Sequence, residues 1–466
     1  MDSRAIITKM REDLNAGRSF DMVCRQITIG GRQSALFFID GFIKDEVFEK
    51  IMEFLFKITP EELENIPNMD EFSKIKMPYV EVQYETDYQK AEIQVLCGAT
   101  ALVIDGIAGI LLVDTRTYPV RSISEPEKDK TLRGSRDGFV ETLVFNTAMI
   151  RRRIRDTRLV FEHLQVGDGS RVDVAIAYID GLADAAIVDK LRSRLKKLKI
   201  TGASMSLQAI SETLLPQPFF NPFPNVKFTE RPDYASACIM EGRVILVIDN
   251  TPSAMIFPSS FADFTKETDD YCFPALTGTF VRIIRLVVSI MTVILTPLAL
   301  WLLNNPTLIP DWMNFLIPTA KVTIPIFWQF MMIEFINDGL RLASLNTPDA
   351  LSNAMGILGG LILSEFAITA GWFVAEVILL MAFVAISSYA QPSFEMGYAM
   401  KYSRLLLLIL VQLFDLWGFF AGLVIILGVM LSTKTLMGHT YLRPIIPFVP
   451  KEFFKLFVRT RIKNFE

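Results

Sequence analysis

The chain has 466 residues, of which 51% are hydrophobic and 21% charged, and it carries a formal net charge of −4. Its mean hydropathy of +0.36 is high for a soluble protein of this length and points to a membrane. Two distant histidines, His163 and His439, and four cysteines without CxxC spacing, Cys24, Cys97, Cys238 and Cys272, argue against a metal site, a His-based triad or a disulfide framework. There is no P-loop, no GxGxxG loop and no basic excess of the kind nucleic acid requires, so no cofactor, no enzymatic activity and no nucleic-acid partner is expected.

Charge is unevenly placed. Before Phe280 there are 34 Lys/Arg and 41 Asp/Glu; from Phe280 onward there are 13 and 10. A polar half therefore precedes an apolar half. The first residues, Met1 to Asn15, alternate charges with short apolar runs and lack the continuous apolar stretch of a secretory signal, so the polar half is expected to be cytoplasmic.

The polar half contains a repeat. Ile39-Asp40-Gly41 and Ile179-Asp180-Gly181 each follow an apolar run (Ala35 to Phe38, Val174 to Tyr178) that reads as a buried strand. Each precedes a helix-period segment: Val47, Ile51, Phe54 and Leu55 in one copy, Ile187, Val188, Leu191 and Leu195 in the other. A second pair matches at nearly the same offset. Leu102 to Gly106 with Ile110 to Val113, and Leu246 to Asn250 with Met255 to Phe257, predict hairpins, because Gly106 and Asn250 tolerate the positive φ of tight turns.

Between the copies lies a basic stretch with Arg133, Arg136, Arg151, Arg152, Arg153 and Arg155. It reads either as an anion or head-group contact or as a solvated linker helix paired with Asp137, Glu141, Asp156 and Glu162.

In the apolar half, Leu286 to Leu303 is uncharged and long enough to cross about 30 Å of hydrocarbon. Arg282 and Arg285 at its start place the polar half on the cytoplasmic side. Asn353 to Thr369 and Trp372 to Ser388, joined near Gly371, predict a membrane hairpin, and Leu405 to Leu431 a further tilted span. Ile324 to Ala343 differs, because Glu334, Asn337, Asp338 and Arg341 share one stripe of an otherwise apolar helix. Such a stripe must face water, a partner helix or a pore; the segment is expected to be re-entrant or interfacial. Glu365 and Glu376, about 8 Å below one membrane face, and Asp415 near mid-depth are further intramembrane acids. In the tail, Lys451, Lys455, Arg459 and Lys463 recur every four residues among phenylalanines, as in a helix lying on anionic lipid.

The expected fold class is α+β/membrane: two tandem related α/β cytoplasmic subdomains followed by a helical transmembrane domain of four to five helices. The expected divisions are an N-terminal segment (1–21), a first subdomain (22–120), a basic linker with helix (121–165), a second subdomain (166–279), the transmembrane domain (280–440) and the basic tail (441–466).

Several segments together resemble the A-subunit family of bacterial spore germinant receptors, the GerA type. They are Glu125-Pro126, the run Arg133 to Glu141, Ile150 to Arg153, Glu230-Arg231-Pro232-Asp233, Glu241-Gly242-Arg243-Val244 and Thr251-Pro252. Ser388 to Glu395 is more similar to the SpoVAF-like branch. The resemblance implies a multi-pass protein of the spore inner membrane, with its N-terminal region and tail cytoplasmic, working with other spore germination membrane proteins. Family members look like subunits of oligomeric cation channels that trigger or, in the SpoVAF-like branch, amplify ion release.

Four or five spans cannot enclose a hydrated pore, so a channel for monovalent cations requires a homo-oligomeric ring. Glu334, Asn337, Asp338, Arg341, Glu365, Glu376 and Asp415 are its candidate lining. A non-conducting scaffold for receptor complexes and a proton-coupled secondary transporter remain as alternatives.

Overall fold

The computed structural model describes residues 3–118, 134–167, 169, 171–198, 207–267, 273–318, 322–346, 367–436 and 440–458. It separates into two compact units. One comprises Met1–Pro216, Val226–Ser259 and Thr435–Gly438; the other comprises Gln217–Asn225, Ser260–Lys434 and His439–Glu466.

The first unit holds two five-stranded sheets. One contains β1 (Met22–Ile29), β2 (Arg32–Ile39), β3 (Val82–Glu85), β4 (Thr100–Ile104) and β5 (Ile110–Val113); the other contains β6 (Leu159–Val166), β7 (Val172–Ile179), β8 (Lys227–Thr229), β9 (Val244–Ile248) and β10 (Ala254–Phe257). The orders are β1-β2-β4-β5-β3 and β6-β7-β9-β10-β8, the same topology twice, and every pairing is antiparallel. The repeat read from the IDG motifs is thus a repeat of fold. Gly106 and Asn250 take the positive φ expected at the hairpin turns.

The central strands are apolar throughout because helices cover both faces of each sheet. Leu36, Leu102 and Leu111 point to one side, with α2 (Asp45–Phe56) and α4 (Met69–Lys76), of which α3 (Pro60–Leu63) is a near neighbour. Phe37, Ala101 and Leu112 point to the other, with α1 (Ser3–Asp13) and α5 (Tyr88–Leu96). In the second copy, Ile176 and Leu246 meet α7 (Ala185–Leu195) and α8 (Leu207–Leu214), while Ala177 and Ile245 meet α6 (Leu143–Arg153) and α9 (Pro232–Met240).

Two expected boundaries shift. Residues 1–21 are not a separate segment, since Ile6, Met10 and Leu14 join the first core. A second subdomain beginning at 166 would cut β6, which begins at Leu159. Helix α6 lies between the two sheets: Ala148 enters the first core, and Met149 and Ile150 enter the second. Gly41 permits this approach, because a Cβ there would lie 3.0 Å from Val144 Cγ1 and 3.2 Å from Ala148 Cβ.

The second unit is helical: α10 (Phe261–Phe264), α11 (Ala275–Asn304), α12 (Ile326–Asn346), α13 (Ala375–Tyr389), α14 (Phe394–Ser432) and α15 (Pro450–Phe457). Among the described residues, α11 and α14 are long and apolar enough to cross a membrane. The expected hairpin partner, Asn353 to Thr369, lies almost entirely outside the described residues.

Helix α14 is not one tilted span. Asp415 has φ 54° and ψ −138° and breaks it into two arms. The arms fold against each other: a Cβ on Gly418 would meet the Leu410 carbonyl at 1.9 Å, and one on Gly422 would meet Leu407 Cδ2 at 2.5 Å. Further along, Met396 and Met400 share a core with Ile426, Val429 and Met430. The hydropathy of the two arms is continuous, so periodicity alone carries no sign of the reversal.

Candidate functional site

The polar stripe of α12 faces a partner helix of the same chain. Glu334 is 4% exposed and Arg404, on the first arm of α14, is 2% exposed. Arg404 Nε donates to Glu334 Oε1 at 2.7 Å, Nη2 approaches the same oxygen at 2.5 Å, and Nη1 donates to the Thr292 carbonyl of α11 at 2.9 Å. Lys401, one turn earlier on α14, is in direct contact with Asp338 and 3.7 Å from Glu334 Oε2. Two acids thus meet two bases, and three helices are joined through one charged cluster.

Local sequence places these groups. Glu334 and Asp338 are one turn apart on α12, as are Lys401 and Arg404 on α14, so two turns can oppose each other. Desolvating each ion costs several kcal/mol, which mutual pairing and the Thr292 hydrogen bond offset. Arg341 closes the row by stacking on aromatic rings, 4.1 Å from the Phe394 centroid and 5.1 Å from that of Tyr398. Asn337, Asp338, Arg341, Ser388, Tyr398 and Lys401 line a cleft of about 40 Å³, room for a water or a dehydrated cation.

Of the three surroundings expected for the stripe, Glu334 has the partner helix, and Phe330 and Gln329 of α12 are fully buried as well. Gln329 fixes the start of the helix: its amide donates to the Ile324 carbonyl at 2.7 Å and its Oε1 accepts from Val374 N–H at 3.0 Å. Glu334, expected to line a pore, is here a tie between helices. The missed residues are Lys401 and Arg404. Their signal is two bases one turn apart beside an apolar run, but nothing in the local pattern says which acids they meet.

The other acids fall elsewhere. Glu376 is half-buried in the first turn of α13, where the helix dipole favours a carboxylate. Asp415 is not at mid-span but at the apex of the α14 reversal, exposed, accepting from Asn305 Nδ2 at 3.1 and 3.3 Å. Glu365, Arg133, Arg459 and Lys463 lie outside the described residues, as do the side chains of Lys451 and Lys455.

In the first unit the arginines separate. Arg151 is 1% exposed and directs its donors inward, to Asp21 at 2.7 and 3.0 Å, Ser19 Oγ at 3.2 Å and the carbonyls of Leu159 and Asp156. It is neither an external anion contact nor part of a solvated linker. Ser19 Oγ also accepts from Phe161 N–H, and Phe20 N–H donates to the Phe161 carbonyl, so the turn before β1 is bound to β6. Arg153 pairs with Asp137 at 2.5 Å. Arg136 is exposed, and Arg152 is exposed with its guanidinium 4.3 Å from the Tyr118 ring centroid.

The family model described as Bacillus/Clostridium GerA spore germination protein matches residues 8–466. Stage V sporulation protein AF of Bacillus subtilis is 34% identical over 95% of this chain and 90% of its own length. Spore germination protein KA of the same organism is 27% identical over 93% and 80%. The solved N-terminal domain of the A subunit of the Bacillus megaterium spore germinant receptor GerK3 aligns with 55% of this chain and 93% of its own, at 24% identity and a TM-score of 0.40. With a family match across nearly its whole length and these sporulation relatives, the chain belongs to the GerA family of spore germination membrane proteins.

Proposed function

We propose that this chain is a subunit of a homo-oligomeric, cation-conducting channel of the spore inner membrane, which triggers or amplifies ion release during germination with other germination membrane proteins. The observation that carries the reading is the row of charges within an apolar helical unit. Acids are retained among membrane helices at a free-energy cost, and such groups mark ion paths more often than not. A ring of copies would bring one α12 each to a shared axis. Asn337 and Asp338, at the edge of the cleft, would contact monovalent cations while Glu334 holds α12 in place against Arg404.

The self-compensation of the cluster within one chain favours a second reading, a non-conducting scaffold. Planar-bilayer recording of the purified oligomer separates the two. Channel openings whose conductance changes in Asp338→Asn support the channel. A silent oligomer of intact size supports the scaffold. A monomer or dimer in detergent sinks the ring.

A further inference from the structure

The nine residues Gln217–Asn225, between α8 and β8 of the first unit, belong to the helical unit. They form a stapled turn. Asn221 N–H donates to the Pro218 carbonyl at 2.9 Å, which presents Phe219 and Phe220 at the tip. The Asn221 side chain accepts from Phe223 N–H at 3.1 Å and donates to Thr433 Oγ1 at 2.9 Å. Thr433 directly follows the last turn of α14. Phe223 is buried with Tyr441, Phe264, Met396 and Met400, so the loop is rooted in the helical core. Phe219 and Phe220 are nonetheless 94% and 89% exposed, edge to face with centroids 5.4 Å apart.

A fixed turn does not hold two whole phenylalanines in water without a partner surface. What adjoins it says which partner. The second arm of α14 leads to Thr433 with Val424, Ile425, Leu427 and Leu431 outward, an apolar surface that only lipid would cover on a spanning helix. Beyond Thr433 come Lys434, exposed, and then Ile445, Ile446 and Phe448, each also exposed. Aromatic rings beside a lysine at the end of a membrane helix are the pattern of the bilayer interface.

We infer that the 217–225 turn is a bilayer-inserted wedge, with Phe219 and Phe220 seated at the level where acyl chains meet phospholipid head groups. The occupant is the lipid surface itself. Through Asn221 and Thr433 the wedge holds the end of α14 at that level. This rests on the membrane assignment of the helical unit and not on the channel reading.

The test uses the full-length protein with its native cysteines replaced, labelled with NBD at Phe220→Cys and reconstituted into vesicles of three parts phosphatidylcholine to one part phosphatidylglycerol. Val80→Cys, at a position 96% exposed in the first unit, is the water-facing reference. At Phe220→Cys we expect blue-shifted emission, about twofold quenching by lipids with a nitroxide high on the acyl chain, and iodide quenching several-fold weaker than at the reference. Iodide quenching equal to the reference, without lipid quenching, overturns the wedge. Protection from both quenchers also overturns it, because a protein surface then covers the tip. Phe219→Cys repeats the measurement from the other ring.

Discussion

Arg404 reaches across from α14 to hold Glu334 of α12 at 2.5 Å, with both side chains almost wholly buried. Removing either partner strands the other charge in an apolar surround. Glu334→Ala or Arg404→Ala is therefore expected to destabilise the helical unit by about 3–5 kcal/mol. The double variant Glu334→Leu with Arg404→Leu is expected to recover most of that loss, although it still forfeits the Thr292 contact. Thermal unfolding of the purified protein in detergent measures both. A loss in the double variant equal to the sum of the losses in Glu334→Leu and Arg404→Leu alone would mean the pair is not coupled.

The fold-back of α14 depends on small residues at its inner face. Gly418→Ala places a methyl 1.9 Å from the Leu410 carbonyl, and the backbone cannot yield without parting the arms. A loss of several kcal/mol is expected. Gly428→Ala, which meets nothing within 4 Å, is expected to change stability by less than about 0.5 kcal/mol or to stabilise slightly through helix propensity. Similar melting behaviour of the two variants would mean that the arms are not packed.

The duplicated IDG turns give an internal control. Gly41 and Gly181 both have positive φ, 84° and 76°, so alanine strains each by about 1 kcal/mol or more. Only Gly41 also has α6 against it. Gly41→Ala is thus expected to be the more destabilising substitution, with the difference read as a lower melting temperature of the purified protein.

Arg151→Met leaves Asp21, fully buried, without its partner, and a loss of about 3–5 kcal/mol is expected. Because Ser19 and Asp21 bind the turn before β1 to β6, limited proteolysis between the two sheets is expected to accelerate. Arg152→Met, at an exposed position, is the comparison, and unchanged cleavage in Arg151→Met would argue against the junction.

Glu92 on α5 supplies a pH dependence. Burial, reinforced by the nearby Asp13, pushes its carboxyl up to about 7, and its Oε1 has no hydrogen-bond partner among the described residues. The folded state holds this proton more tightly than the unfolded chain does. Its contribution to stability is therefore complete below the ordinary carboxyl value of about 4.5 and is lost as pH rises through 7. Glu92→Gln is expected to match the native protein near pH 5 and to exceed it by about 2–3 kcal/mol above pH 7.5. Parallel stability profiles from pH 5 to 8 would refute this.

Much of the fold was legible in the residues because it rests on local patterns. The strand-turn-helix repeat announced itself through IDG and apolar periodicity, and the positive φ at Gly106 and Asn250 followed from turn chemistry. The uncharged run from Leu286 announced α11 as a helix long and apolar enough to cross a membrane. The stripe on α12 was visible too, since 3.6-residue periodicity brings Glu334, Asn337, Asp338 and Arg341 to one side.

What faces that stripe was not a local matter. Lys401 and Arg404 are about 65 residues away in sequence, and only the packing of α14 on α11 and α12 sets them against the acids. The same holds for Arg151, whose partner Asp21 is separated by 130 residues, and for Asp415, where one backbone dihedral reverses a helix of unbroken hydropathy. Sequence determined which residues would be helical, apolar or charged. Tertiary structure decided which charges neutralise one another, because pairing in a low-dielectric interior depends on distances of a few ångströms between elements far apart in the chain.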